Sequence, residues 1–204
     1  EIMHDNFSRH GITIFAKDVV SETLVKEGEI MVVTNGLRSI ACDAIALGIG
    51  LQRNVAFVAG SGLEFGTKGI LTNEFLETNF EGVYAAGDVA EFNDLISGKH
   101  RASGNWTSAF LQGKIAGINL AGGREAFKKI ASYSITNFGF QITALGYPED
   151  ATETAVRVDV RSSRYERFFL KDGCLVGATL INRFEDKAHL AKLIESKTPV
   201  GEHK

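Results

Sequence analysis

The pattern of apolar and polar positions predicts short strands in the first part of the chain. Asn35-Gly36 lies between two of them and predicts a tight hairpin turn, because both residues tolerate the positive φ angles that such a turn needs. The three segments expected to form a β-meander between about residues 12 and 41 are 11–15, 29–34 and 38–41.

Two later apolar runs do not alternate, which predicts strands that are buried on both faces. The first run, 43–50, carries Gly48 and Gly50 at its end, and the second, 82–88, ends in Asp88. Glycines at a strand end allow a ligand or another backbone segment to come close. Open α/β sheets bind ligands beyond the carboxyl ends of their strands, so Asp88 is a candidate for accepting hydrogen bonds from sugar-like hydroxyl groups.

The stretches between these elements have weaker patterns. Residues 54–66 predict a weak helix followed by a glycine-rich loop, 70–72 predict a short strand, and the polar segment 93–104 predicts no regular element. Gly60-Ser61-Gly62 in the loop is similar to the start of a dinucleotide-binding fingerprint. Such a fingerprint lies on a turn from a strand into a helix. Here a further glycine and a strand follow, which favours a plain loop.

One helix is predicted in the middle of the chain, over residues 105–121, and Gly122-Gly123 should end it. Gly113 and Gly117 lie four residues apart on one face, where they would allow close contact with a neighbouring backbone. The apolar positions expected to pack on a sheet are Trp106, Ala109, Phe110, Ile115, Ala116, Ile118 and Leu120.

The last part of the chain predicts an antiparallel sheet followed by a helix. Asp172-Gly173 predicts a tight hairpin between the last two strands. Val156, Val158 and Val160 alternate with charged residues, so one face of their strand should be buried. The five strand segments are 133–138, 141–147, 155–160, 165–170 and 174–181. The final helix, 184–196, has an apolar stripe of Phe184, Ala188, Ala191, Leu193 and Ile194.

Composition and charge restrict the function classes. The 204 residues are 44% hydrophobic and 23% charged with a net charge of −3, so no basic field attracts nucleic acid. No run approaches the roughly 18 apolar residues of a membrane span. The 22 glycines against 2 prolines indicate tight turns rather than flexible linkers. Cys42 and Cys174 form no disulfide framework or metal site, and we expect both to be buried and reduced in a cytoplasmic protein.

One string is more specific than these patterns. Residues 78–90, TNFEGVYAAGDVA, resemble the second flavin-binding motif of the FAD-dependent pyridine nucleotide–disulfide oxidoreductases. The resemblance is closest to the branch of NADH–rubredoxin reductases, NADH oxidases, nitrite reductases and ferredoxin reductases. Further segments are similar to the same family in order and spacing: 42–50, 69–78, 106–119 and 171–178.

The resemblance covers nearly the whole chain and implies the C-terminal half of such an enzyme. The implied fold class is α/β plus α+β: partial Rossmann-like FAD- and NAD(P)-binding portions, then a small antiparallel sheet with a C-terminal helix. The sequence departs from the family in two ways: the segment 51–54 lacks the expected proline, and neither GxGxxG fingerprint is present. The implied domains are the C-terminal part of the NAD(P)-binding domain at 1–50, the C-terminal part of the FAD-binding domain at 51–127, and an interface domain at 128–204.

Five residues would bind FAD if the resemblance holds. Asp88 would accept hydrogen bonds from the ribityl chain, and Gly87 and the Val89 amide would lie near the pyrophosphate. Trp106 and Thr107 would lie near the isoalloxazine ring at a helix N-terminus, whose dipole favours negative charge on a reduced flavin. The alternative for Trp106 is a core aromatic residue.

The implied reaction is hydride transfer from NAD(P)H to FAD, followed by electron transfer to an acceptor that is a protein or a small molecule. Gly48 and Gly50 would border the nicotinamide pocket, or they only allow strand packing. No catalytic side chain and no metal ligand is assigned in this chain, and a homodimer is left open. Because both phosphate-binding fingerprints are missing, we expect the isolated chain to be inactive. Two alternatives to an active enzyme part stay open: a fragment that holds FAD weakly, and a non-catalytic interaction domain.

Overall fold

The computed structural model describes residues 2–201, and the chain separates into two compact units, 1–52 and 53–204. The first unit contains one helix and a three-stranded antiparallel meander in the order β1-β2-β3. The meander is confirmed, although its first strand is not the expected segment 11–15, for which no described residue is a strand partner. The elements are α1 (Ile2–Arg9), β1 (Val20–Lys26), β2 (Glu29–Thr34) and β3 (Ser39–Cys42).

The turn between β2 and β3 lies at Asn35-Gly36, as predicted, and the Asp18 carboxylate stabilises it. Asp18 accepts hydrogen bonds from the Thr34 hydroxyl at 2.8 Å and the Gly36 N–H at 2.9 Å. The Arg38 guanidinium lies 2.5 Å from the same carboxylate. These contacts lower the pKa of Asp18: the Thr34 hydrogen bond has the largest effect, and the Gly36 and Arg38 hydrogen bonds add to it.

The predicted buried strand at 43–50 is wrong. The segment has no regular structure, and Leu47 and Ile49 are 78% and 88% exposed. A strand exists only where neighbours satisfy its backbone hydrogen bonds. No described strand pairs with this segment.

The second unit begins with a small mixed sheet, in which β4 runs parallel to β5 and β5 antiparallel to β6. The strand at 70–72 is confirmed, and the weak helix within 54–66 is a single 3₁₀ turn. The strand predicted at 82–88 is wrong, because Gly87 has φ 81° and turns the chain before the strand begins at Ala90. β6 was not expected. The elements are β4 (Ile70–Thr72), β5 (Ala90–Asp94), β6 (Lys99–Ala102) and α2 (Trp106–Leu120).

Helix α2 packs on this sheet, as predicted, but through a narrower stripe. Ile115 and Ala116 belong to the same buried cluster as Phe92, whose ring meets Phe127 edge-on at 5.1 Å. The expected backbone contact at Gly113 and Gly117 is wrong within the described residues, because a Cβ at either position would have nothing within 4 Å. Three of the predicted packing positions are instead exposed: Trp106, Phe110 and Leu120.

The five strands predicted in the last part of the chain are confirmed, and they form one antiparallel sheet in the order β7-β8-β11-β10-β9. The hairpin at Asp172-Gly173 is confirmed by positive φ angles of 51° and 72°. Helix α3 packs on β11 and β8 and buries Leu190 and Ile194, whereas Phe184 and Ala188 are exposed. The elements are β7 (Ser132–Asn137), β8 (Phe140–Gly146), β9 (Glu153–Asp159), β10 (Arg164–Lys171), β11 (Cys174–Ile181) and α3 (Lys187–Ser196).

Two expectations about burial, one for strand β9 and one for the cysteines, are wrong. Val156, Val158 and Val160 are 53%, 49% and 78% exposed, because β9 is an edge strand and no described element covers either face. Both cysteines are free, as expected, but they are half-buried. The Cys174 thiol donates a hydrogen bond to the Lys197 carbonyl at 3.2 Å.

An ionic cluster around the buried Arg101 side chain joins the β5–β6 hairpin to the 3₁₀ turn that follows β8. The Arg101 guanidinium donates to Asp150 and to Glu149, the latter at 2.9 Å, and lies 4.2 Å from the centre of the Tyr147 ring. Burial opposes ionisation of Asp150, but the Lys99 hydrogen bond and the Arg101 charge together lower the pKa of this carboxyl. Burial and the neighbouring Asp94 carboxylate raise the pKa of Tyr147 far above its ordinary value.

Candidate functional site

The flavin-motif residues form a short turn rather than the end of a strand. Residues 87–89 make one 3₁₀ turn, which the Ala90 N–H closes by donating to the Gly87 carbonyl. The φ angle of 81° at Gly87 lies in the region that L side chains rarely adopt. A Cβ on this glycine would lie 3.4 Å from Ala109 Cβ, so α2 packs directly against the turn.

Two polar side chains hold this turn from its two ends. Gln112 on α2 accepts a hydrogen bond from the Gly87 N–H through Oε1 at 2.7 Å, and its side chain is fully buried. At the other end, Arg53 Nε donates to the Asp88 carbonyl. Both contacts are to the backbone, so they fix the peptide planes of the turn.

The Asp88 carboxylate is the free acceptor of the turn. The residue is half-buried, and its carboxylate accepts no hydrogen bond and forms no ion pair within residues 2–201. A carboxylate has only acceptor sites. Because its own backbone is held at the carbonyl, this side chain is presented at a fixed place and can accept hydrogen bonds from hydroxyl groups of a ligand.

The N-terminus of α2 lies next to the same turn. Asn105 caps the helix by accepting a hydrogen bond from the Ser108 N–H at 2.9 Å. The first N–H groups of a helix have no partner within the helix, and they carry the positive end of its dipole. Trp106 and Thr107 stand here with exposed side chains, one turn before Ala109.

Trp106 is 80% exposed, which excludes the core alternative for this residue. Its ring stacks on Phe110 with 5.6 Å between centroids and 18° between the planes. Phe110 is itself 60% exposed, so the pair forms an aromatic surface at the start of α2.

The structure therefore brings together five of the seven predicted site residues within the second unit. Gly87, Asp88 and Val89 form one turn, and Trp106 and Thr107 begin the helix that packs on it. Gly48 and Gly50 belong to the first unit, where both are exposed and a Cβ on either would meet nothing within 4 Å.

Sequence reasoning missed Gln112 and Arg53 as members of this site. Gln112 could have been found, because it occupies the buried stripe of α2 with Ser108, Ile115 and Asn119, where a polar residue needs a buried partner. Arg53 had no comparable pattern, since it lies 35 residues from Asp88 in an irregular segment.

The arrangement fits a flavin nucleotide. It offers a fixed carboxylate for hydroxyl groups, a glycine turn without a side chain, and a helix N-terminus that favours negative charge. The Gly87 N–H already has Gln112 as its partner, so this amide is not a free donor for a phosphate. Within residues 2–201 no group of three or more His, Cys, Asp or Glu side chains could hold a metal ion. No helix described here is long and apolar enough to cross a membrane.

Two family patterns match the chain. The pyridine nucleotide-disulphide oxidoreductase pattern matches residues 1–113, and the rubredoxin NAD⁺ reductase C-terminal domain matches residues 132–198. Apoptosis-inducing factor 3 of Mus musculus is 23% identical over 193 residues, which are 93% of this chain and 32% of that protein. NADH-rubredoxin oxidoreductase of Clostridium acetobutylicum is 28% identical over 158 residues, 77% of this chain and 40% of that protein.

Solved structures share the fold. The ferredoxin reductase for the CYP199A2 system from Rhodopseudomonas palustris has a TM-score of 0.87 at 22% identity, covering 98% of this chain and 49% of that one. The reductase in the covalent putidaredoxin reductase–putidaredoxin complex has a TM-score of 0.89 at 18% identity, with 98% and 48% covered. The chain thus spans about a third of the first curated relatives and about half of these solved chains.

Proposed function

Since the chain belongs to the pyridine nucleotide-disulphide oxidoreductase family, we propose that it supplies part of the FAD site of an enzyme that passes electrons from NAD(P)H to a separate acceptor. The family is one of FAD-dependent oxidoreductases that use NAD(P)H. The observation that carries the proposal is the free Asp88 carboxylate, held on a backbone-clamped turn beside a helix N-terminus. When bound, FAD supplies the redox chemistry.

The residues of this chain then have distinct tasks. Asp88 accepts hydrogen bonds from hydroxyl groups of the flavin side chain, which orients the cofactor. Gly87 contributes its conformation rather than its N–H, and the Val89 backbone lies beside the pyrophosphate. Trp106 and Thr107 place the positive end of α2 towards the ring, which favours negative charge there. Gly48 and Gly50 border the nicotinamide pocket.

We propose a small electron-transfer protein as the acceptor. Similar proteins include an NADH-rubredoxin oxidoreductase and a putidaredoxin reductase captured with putidaredoxin. The match of residues 132–198 to the rubredoxin NAD⁺ reductase C-terminal domain supports the same class of acceptor. The domain division at 50 and 127, a homodimer and a cytoplasmic location stay predictions.

The isolated 204-residue chain is proposed to be inactive, because its sequence contains neither GxGxxG phosphate-binding fingerprint. The test compares this chain, supplied with FAD, with the complete protein encoded by the gene that contains it. NADH and NADPH oxidation are followed with ferricyanide as the acceptor.

We expect oxidation by the complete protein and none by the isolated chain above the rate of free FAD. Steady oxidation by the isolated chain would contradict its proposed inactivity. A complete protein that purifies without flavin and does not take up FAD would contradict the proposed function itself.

A further inference from the structure

Two side chains outside the flavin motif hydrogen-bond to the backbone of the Gly87–Val89 turn. Gln112 accepts from the N–H at one end, and Arg53 donates to the Asp88 carbonyl at the other. Arg53 also reaches the Ser103 carbonyl with its Nη2 at 3.5 Å, close to where the chain enters α2. The two side chains thus connect the turn to the helix and to the segment before the helix.

A clamp at this place has a physical reason. Glycine is conformationally permissive and has no side chain to lock its peptide plane, so the direction of the Gly87 N–H depends on its partner. That partner is buried, and loss of the acceptor would leave a buried N–H unsatisfied. Loss of the bond to Gln112 would therefore release the N–H end of the turn that carries Asp88.

Gln112 acts on the turn and not on a ligand. Its Nε2 has no hydrogen-bond partner and less than 1 Å² of accessible surface in the part of the chain that the structure describes. A donor that water cannot reach is equally out of reach of a cofactor. Only the Oε1 contact to Gly87 connects this side chain to the proposed site.

We infer that Gln112 and Arg53 are positioning residues that set the direction of the Asp88 carboxylate for the flavin without touching the cofactor. The inference rests on the proposed function for its consequence and on the hydrogen bonds alone for its structural part. Arg53 belongs to the same compact unit as the turn, so both hydrogen bonds lie within that unit.

The test uses the complete protein and four variants. Gln112→Met removes the strong acceptor at nearly constant volume, and Gln112→Glu keeps an acceptor for the Gly87 N–H. Arg53→Met removes the donor at the other end. Asn119→Leu is the matched control. Asn119 is a buried amide two helical turns along α2, and within residues 2–201 its side chain bonds only to backbone at Phe75 and Glu125.

Two readouts are measured on each variant: the dissociation constant of FAD, and the hydrogen-exchange rate of the Gly87 amide by NMR, with and without FAD. We expect Gln112→Met and Arg53→Met to weaken FAD binding about tenfold. Gln112→Glu should stay within about twofold of the wild type. Of the four variants, only Gln112→Met should show a Gly87 amide that exchanges at least about tenfold faster, whether or not FAD is present.

Asn119→Leu should lower the unfolding temperature but change neither readout. Equal changes in Asn119→Leu and Gln112→Met would overturn the inference, because a merely structural role moves both alike. An unchanged exchange rate in Gln112→Met would overturn it as well. If the wild type does not bind FAD while the exchange result is as expected, the proposed function fails and the clamp stands as a structural device.

Discussion

The Arg101 cluster gives the sharpest stability prediction, because its geometry separates a buried ion pair from exposed ones. The Arg101 side chain is 9% exposed and its partner Asp150 is 12% exposed, whereas Glu149 is 60% exposed. Removing one partner of a buried pair costs about 3–5 kcal/mol, while an exposed pair contributes about 0–1 kcal/mol. The contact to Asp150 therefore dominates the expected effect.

The Arg101→Met variant should lower the free energy of unfolding by about 3 kcal/mol, at the lower end of that range. The lower end applies because Lys99 still donates to Asp150 at 2.7 Å, so the carboxylate keeps one cationic partner. Methionine preserves part of the packing on Tyr147. The free energy is measured by urea unfolding followed by circular dichroism, since the single tryptophan is 80% exposed and reports folding poorly.

The control is Lys99→Met, which removes the other cation from the same carboxylate. The Lys99 side chain is 53% exposed, so its loss should cost less than about 1 kcal/mol. A loss of less than about 1 kcal/mol in Arg101→Met would refute the reasoning, because the pair would then behave as a solvent-screened surface contact. An equal loss in both variants would refute the distinction drawn from burial.

Two further predictions concern a glycine contact and the acid limit of stability. Gly69→Ala should destabilise the protein by about 1–3 kcal/mol, because the new Cβ would lie 2.4 Å from the Val89 carbonyl oxygen. Gly104→Ala should be nearly neutral, because no atom lies within 4 Å of its new Cβ. Thermal unfolding of both variants checks this difference. The pKa of Asp150 is lower in the folded protein than its ordinary 3.8. The stabilisation by ionised Asp150 is therefore complete above pH 3.8 and is lost as the pH falls through the folded pKa. Wild type and Asp150→Asn should converge in unfolding temperature below about pH 4. A constant difference in unfolding temperature down to about pH 2 would contradict the assignment.

The sequence predicts the elements whose causes are local. The hairpin at Asp172-Gly173 follows from two residues that accept positive φ, and α2 begins at Trp106, directly after Asn105, whose side chain caps the helix. The five strands after residue 131 have turn residues between them and need only each other as partners. For these elements the pattern within the chain is sufficient.

The predictions that failed depend on partners rather than on local pattern. The run 43–50 has the composition of a buried strand, but no described strand pairs with it. β9 has the alternation of a half-buried strand, but it lies at a sheet edge with both faces open. The turn at Gly87 was not predicted, because it lies within an apolar run and hydropathy does not reveal a positive φ angle.

The sequence predicted the motif of the candidate site but not the side chains that hydrogen-bond to its backbone. The residues 87–89 were identified through their resemblance to a flavin-binding motif, and the structure places them against the predicted helix. Gln112 and Arg53 were not identified, since their role depends on contacts 25 and 35 residues away in the chain. Such tertiary hydrogen bonds have no local sequence pattern.

The measurement that tests the central claim most directly is the FAD affinity of the complete protein with Asp88→Ala. We predict about one FAD per protein in the wild type and a dissociation constant raised roughly 10- to 150-fold in the variant, the scale of one hydrogen bond to a charged group. Glu81→Ala, which removes an exposed carboxylate in the same segment, should leave the affinity unchanged. Equal FAD affinity in the wild type and Asp88→Ala would contradict the assignment of this turn as the flavin site.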